Sequence, residues 1–281
     1  TVKDNNVFNI AIEGNFDDCQ NLVKSMFSDK EFSTSINMSG VNSINWARII
    51  TQSVYYFYTY FLLNNNRPIN FSVPTGNFGD VYAGYLSKKM GLPIDKLIVA
   101  TNQNNILHRA ITNGRYEVQT VVQTTSPSMD IQVASNFERL IYDLNNQDDL
   151  ETEKIMSNIK KDKKFIISKE KLTKIKKDFL SASIKETEVL STIKEVYERY
   201  KVILDPHTAI GFCATNIKDL DGDIVALATA HPCKFPDAIE KAINLKAELP
   251  NELAFILDEK ENYVMIENNL TKIKQHIKER I

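Results

Sequence analysis

Short apolar runs alternate with longer amphipathic stretches along this chain. Val7-Phe8-Asn9-Ile10-Ala11-Ile12 reads as a buried strand. Gly14 and Asn15 then predict a turn, and Asp17-Asp18 suit the positive end of a helix whose apolar face is Leu22, Val23, Met26 and Phe27. Residues 43–63, SINWARIITQSVYYFYTYFLL, predict a long helix that stops before Asn64-Asn65-Asn66. Asn45, Arg48, Gln52 and Ser53 interrupt its apolar run and leave too short a stretch to cross a bilayer, so a buried core helix is expected. After Arg67-Pro68 come a strand at Phe71–Val73, a glycine loop, a helix to about Met90 and a strand over 96–102. Residues 146–200 are polar, lysine-rich and helical by pattern; acidic residues flank the cations of Lys160–Lys177, which predicts a solvated face rather than a nucleic-acid patch. GDIVALATAHP (222–232) gives one more buried strand and its turn, and the last fifty residues read as two helices and a short strand. Strands alternating with helices across short turns predict an α/β fold with a mostly parallel sheet.

Composition narrows the partners more than the fold. A formal net charge of -2 gives no electrostatic case for nucleic acid or an anionic membrane. Cys19, Cys213 and Cys233 are odd in number and unpatterned, which argues against a disulfide framework or a metal site and fits a reduced, cytoplasmic setting. No charged n-region followed by an apolar h-region opens the chain. It starts at Thr1 and enters a strand within a few residues, as a chain does when a tag or leader is gone or when it is the back part of a longer protein.

The densest chemical signal is SVPTGNFGDVYAG, from Ser72 to Gly84. A strand that ends in a glycine turn and opens a helix makes an anion site. The first N–H groups of the helix have no internal partner, the dipole adds positive potential, and glycine lets the backbone come close to a phosphate. Asn77 adds a side-chain donor. The loop matches neither Gly-x-x-x-x-Gly-Lys-Ser/Thr nor Gly-x-Gly-x-x-Gly, so a cofactor phosphate without a nucleotide fits it better. Taken alone, a plain structural turn explains it equally well.

The stretch VPTGNFGDVYAGYLSKKMGLPIDKLIVATNQNNILHR resembles the phosphate-loop region of threonine synthase, a pyridoxal-phosphate enzyme of the tryptophan-synthase-β-like fold (fold type II). EGNFDDCQ (13–20), VNSINWARI (41–49), SPSMDIQVASNFERL (126–140), DPHTAIG (205–211) and ATAHPCKFPDAI (228–239) resemble family segments in the same order. The likeness runs from about Val7 to about Ala242 and is weakest over 146–200; Asn15 stands where the family commonly has threonine. The resemblance implies open, mostly parallel sheets flanked by helices in two unequal domains. Residues 1–66 are expected to be the remainder of the smaller one, and 67–281 the cofactor domain with a lysine-rich helical insert at about 146–200.

The family converts O-phospho-L-homoserine and water to L-threonine and phosphate with pyridoxal 5'-phosphate. By resemblance, Gly76, Asn77, Phe78 and Asp80 hold the cofactor phosphate, with Gly79 keeping the turn compact. Asp80 is expected to order the loop by accepting N–H bonds at the helix start. Thr229 matches the position that meets the pyridine nitrogen, and a hydroxyl there is expected to leave that nitrogen weakly held or neutral. Ser43, Asn45 and Arg48 are candidates for the substrate's own phosphate; the plainer alternative makes Ser43 a helix cap and Arg48 a surface ion pair. His108, His207 and His231 either line the pocket or are satisfied structurally, His276 is expected to face solvent, and no pair has metal-ligand spacing.

A segment like the family's HGPTLAFKD, which carries the Schiff-base lysine, does not occur here, and Lys88, Lys89 and Lys96 match no such position. The expectation is therefore the C-terminal portion of a threonine synthase, monomeric or homodimeric and incomplete for catalysis. A non-catalytic truncated paralogue that binds phosphate or a partner is the alternative. VNSINWAR and ATAHPCKFP disfavour other fold-type-II enzymes.

Overall fold

The structure is a computed structural model. It describes residues 1–281 except 15, 43–44, 65–66 and 218–219, and not the side chains of 16, 17, 20 and 257. The expected turn at Asn15, the side chain of Asp17, and Ser43, Asn65 and Asn66 therefore lie outside the described residues. In chain order the elements are β1 (Ile10–Glu13), α1 (Phe16–Ser28), α2 (Lys30–Ser35), α3 (Trp46–Leu63), β2 (Ile69–Pro74), α4 (Gly79–Lys89), β3 (Ile94–Thr101) and α5 (Ile106–Asn113). There follow β4 (Arg115–Glu117), α6 (Phe137–Leu144), α7 (Asp149–Asp162), β5 (Lys164–Ile166), α8 (Lys169–Asp178), β6 (Phe179–Ser183) and α9 (Glu186–Tyr200). Last come α10 (Pro206–Cys213), β7 (Ile224–Ala226), α11 (Pro236–Ile243), β8 (Val264–Glu267) and α12 (Leu270–Lys278).

Two compact units form, and their boundary differs from the expected one at residue 66. One unit joins residues 1–40 to 249–281; the other is 41–248. In the first, β1 pairs in parallel with β8, Ile10 opposite Val264, and a small core gathers Met26, Phe32 and Ile273. Helix α3 belongs to the second unit because Ile49 and Tyr56 are buried in the same core as Phe71 and Leu97. Local pattern shows which residues form a strand but not which distant strand it will pair with.

The second unit is built on four parallel strands in the order β6-β3-β2-β7. Side chains alternate across a strand. Leu97 and Val99 of β3 thus enter one core with α3 and α4, while Ile98 and Ala100 enter another with α9 and α10. A sheet covered on both faces reads as a continuous apolar run, as KLIVAT does. Asn70, fully buried on β2, ties neighbouring segments together: its Nδ2 donates to the Asp221 carbonyl at 2.8 Å and its Oδ1 accepts from Lys96 N at 3.0 Å.

Two expectations need correction. The stretch 146–200 is not a helical insert, because it contains β6, an edge strand of the main sheet that pairs with β3 through Leu97 opposite Phe179. Most of its lysines lie on α7, α8 and α9. Helix α3 is only half a core helix: Ile49 and Tyr56 are fully buried, yet Val54, Tyr58, Phe61 and Leu62 are all at least 60% exposed. The buried side fits closely against α4. A Cβ at Gly84 would stand 2.5 Å from the Tyr56 ring and 2.8 Å from Leu97 Cδ2. Gly84→Ala is expected to lower stability by about 1–3 kcal/mol, the usual cost of overpacking, measured by urea denaturation. An unchanged midpoint would mean that the two helices have room to part.

Candidate functional site

Ligands of open parallel sheets bind beyond the carboxyl ends of the strands. Here the ends of the neighbouring parallel strands β2 and β7 carry the two segments that the sequence singled out: 75–80 and 227–231. Leu227 N bonds to Ser72 O at 3.0 Å, which holds the second segment against β2.

The glycine loop forms a hollow of about 190 Å³, lined by Gln52 of α3 and by Pro74 to Val81. Its floor is backbone. A Cβ at Gly76 would stand 2.6 Å from the Ser128 carbonyl oxygen, so only glycine lets these two segments come so close. Phe78 precedes α4 with φ 68 and ψ 6 and provides no side-chain cap. That left-handed conformation is unfavourable for a bulky residue and is held by burial: the Phe78 ring packs edge-on against Phe137 at 5.1 Å and against Phe179 at 5.7 Å. The side chain anchors the loop in the core while its backbone opens the helix. Among the described residues, no acceptor meets the N–H groups of Gly76, Asn77, Phe78, Gly79, Asp80 or Val81. Asn77 turns both its oxygens toward the next segment. Its carbonyl accepts from Asn136 N at 3.0 Å, and its Oδ1 accepts from Ser135 N and Oγ at 3.4 Å. Its exposed Nδ2 has no acceptor among the described residues. Backbone and side-chain donors thus converge at an uncapped helix start, the arrangement that takes a phosphate.

Asp80 behaves differently from the expectation. Its carboxylate accepts no backbone N–H; Oδ1 takes the Tyr56 hydroxyl at 3.0 Å. Burial pushes the carboxyl up to about 6, partly offset by that hydrogen bond. The helix N–H groups that Asp80 was expected to cap stay available.

At the end of β7, Thr229 joins a network that sequence reading missed. Asp205, a fully buried side chain at the N-cap of α10, accepts from His207 N and His207 Nδ1, both at 2.9 Å, and closely from the Thr208 hydroxyl. It also accepts from Ala230 N at 3.3 Å and from Thr229 Oγ1 at 3.4 Å through both its oxygens. Thr229 N donates to Thr208 Oγ1 at 3.0 Å. Burial by itself would raise the Asp205 carboxyl, but the bonds from His207 and Thr208 outweigh it and hold the carboxyl below its usual range. DPHTAIG and Thr229 stand out in the sequence one by one, and nothing there joins them.

The other candidates are dispersed. Asn45 caps α3 and accepts from Ala47 N at 2.9 Å, which takes the cap role considered for Ser43. Arg48 is exposed one turn before Gln52, so the two share a face of α3 and Gln52 reaches the hollow. His108 bonds Ser181 Oγ at 3.0 Å, and burial lowers its proton affinity. His231 is exposed and caps a short turn through Cys233 N; His276 is half-buried rather than solvent-facing. A larger hollow, about 950 Å³ and bounded by Trp46, Arg139, Tyr142 and Met156, is mostly apolar with charges of both signs. Among the described residues no cluster of histidine, cysteine or acidic side chains could hold a metal, and no helix is long and apolar enough to cross a membrane.

Comparison with solved structures settles the architecture. The chain superposes on the pyridoxal-phosphate-bound threonine synthase of Brucella melitensis with a TM-score of 0.90 and 45% identity, over 98% of this chain and 60% of that one. The yeast threonine synthase gives 0.88 and 42%, over 100% and 60%. The fold is fold type II, tryptophan-synthase-β-like. In sequence, threonine synthase of Pseudomonas aeruginosa is 44% identical over 281 residues, covering 99% of this chain and 60% of the relative. The family described as "Threonine synthase, C-terminal" matches residues 208–277.

These alignments correct the expected extent of the likeness. The likeness does not fade at Ala242, and it does not weaken to a bare binding module. It runs over 98–100% of the chain, through the cradle and the Asp205 network, to threonine synthases themselves. The non-catalytic alternative is not kept, and the C-terminal family model is not the limit of the match. The chain spans about 60% of the length of the relatives it matches.

Proposed function

We propose that this chain serves the threonine synthase reaction, the conversion of O-phospho-L-homoserine and water to L-threonine and phosphate, with pyridoxal 5'-phosphate as cofactor. The observation that carries this reading is the cradle: unpartnered N–H groups of Gly76 to Val81 at the start of α4, beside the Thr229 segment on the same edge of the sheet. The residues fit the cofactor, because the loop at Gly76 is closed to a side chain and the N–H groups that follow it meet no acceptor among the described residues.

In this reading the backbone of Gly76, Phe78 and Gly79 and the Asn77 amide bind the cofactor phosphate, and Thr229 meets the ring nitrogen. When bound, pyridoxal phosphate supplies an electron sink for negative charge that develops on substrate carbon. Arg48 and Asn45, with Ser43, orient the substrate phosphate; Arg48 lies one helical turn from the cradle-lining Gln52. Asp80, held by Tyr56, stays off the helix donors. The three cysteines are free, as a reducing cytoplasm requires, and we place the protein there.

The test follows pyridoxal phosphate binding by absorbance with inorganic phosphate as competitor, then phosphate and threonine formation from O-phospho-L-homoserine. Competition, with turnover of that substrate, is expected. Turnover of serine or cysteine in its place, or binding indifferent to phosphate, overturns the reading.

A further inference from the structure

Asp80 puts a carboxyl where an anion is expected to bind. It stands in the first turn of α4, is half-buried, and lines the hollow formed by the glycine loop. Tyr56 of α3 meets it twice with a single proton: the hydroxyl oxygen lies 2.8 Å from the Asp80 carbonyl oxygen and 3.0 Å from Oδ1. Two arrangements satisfy this contact. When the carboxyl is ionised, the hydroxyl donates to Oδ1. When the carboxyl is protonated, Oδ1 donates to the hydroxyl oxygen, and the hydroxyl gives its own proton to the nearer carbonyl. Asp80 can therefore gain or lose a proton without moving the loop. Burial and the neighbouring carboxylate hold the Tyr56 phenol well above its usual range, so it stays a hydroxyl throughout.

Little else supplies charge here. Loop 75–79 and Gln52, which complete the hollow, have no charged side chain. The segments that brace the loop, 127–129 and 134–137, have none either. On α4 the cations Lys88 and Lys89 lie in the last turn, and on α3 Arg48 is exposed and two turns before Tyr56. A phosphate at the start of α4 thus brings its negative charge toward a half-buried carboxylate that no cation offsets. Neutralising the carboxyl removes that repulsion.

We propose that the cradle takes its phosphate together with a proton, which Asp80 holds against Tyr56. This rests on the reading of the hollow as the cofactor-phosphate site, and it gives that site a pH dependence. Burial already lifts the free carboxyl to about 6. The bound phosphate lifts it further. Binding is then unaffected by Asp80 below the free value, weakens as pH rises through it, and levels off above the value in the loaded site.

The experiment titrates pyridoxal 5'-phosphate into wild type and Asp80→Asn by calorimetry, in buffers of different ionisation enthalpy, from pH 5 to pH 8. The ionisations of the ligand itself are common to both proteins and cancel in the difference. For an upward shift of about one unit, wild type is expected to take up about half a proton more than the variant near pH 6.5. The two are expected to bind equally at pH 5, and wild type about tenfold more weakly at pH 8. Pyridoxal, which lacks the phosphate, is expected to show no such difference. Wild type alone gives a second readout: at pH 7 loading should bring up a protonated-carboxyl infrared band that moves on 13C labelling of aspartate. Equal proton uptake and equal pH dependence in the two proteins, the same difference with pyridoxal, or no such band overturns the proposal and leaves the cofactor site standing. No binding of pyridoxal phosphate by wild type overturns the site reading, and the proposal with it.

Discussion

Gly76→Ala is expected to lose about 100-fold or more of the affinity for pyridoxal phosphate, the binding equivalent of two charge-assisted hydrogen bonds. The new methyl would stand 2.6 Å from the Ser128 carbonyl oxygen. That atom is backbone, fixed by the turn around Met129, whose N–H bonds to Ser126 O at 2.9 Å, and it cannot swing aside like the end of a side chain. The loop must move instead, and the N–H groups of Gly76 to Gly79 lose their convergence. The check is a titration of the cofactor into wild type and variant, with circular dichroism to show that both are folded. Equal affinities in folded proteins would remove the loop from the binding site.

Asp80→Asn is expected to stabilise the protein by about 3 kcal/mol at pH 7 and to change it little near pH 4. Burial lifts the Asp80 carboxyl from its usual 3.8 to about 6, roughly two units at about 1.4 kcal/mol each. The folded state then holds a proton that the unfolded chain has released, so Asp80 costs stability progressively as pH rises from about 4 through about 6, and the full cost remains above that. Asparagine keeps an acceptor for the Tyr56 hydroxyl and removes the charge. Urea denaturation of both proteins across this window gives the difference curve. A flat curve would mean that Asp80 is solvated in the folded state.

What the sequence displayed and what it hid differ by chain distance. The strand, glycine loop and helix from Ile69 to Lys89 are contiguous, and the turn chemistry of Thr75 to Asp80 is local, so the cradle is legible in the sequence alone. The role of Asp80 is not, because its partner Tyr56 comes from a helix 24 residues earlier. The Asp205 network unites the start of α10 with the end of β7, and nothing in either segment announces the other. Thr229 stands out by family likeness alone. On α3 the aromatic-rich stretch from Val54 to Leu63 hides which side is covered, since both faces carry the same residue types. In 146–200 the lysines dominate the pattern and conceal the five residues of β6.

The pairing of β1 with β8 sets a schedule for folding during synthesis. Ile10 cannot meet Val264 until some 254 residues later, which at about 5–20 residues per second is a wait of roughly 13–50 s. Residues 41–248, a continuous stretch that holds the cradle and the Asp205 network, can fold within that interval. The unit of residues 1–40 and 249–281 is completed later, and until then β1 lacks its partner β8, an open strand edge of the kind that chaperones cover.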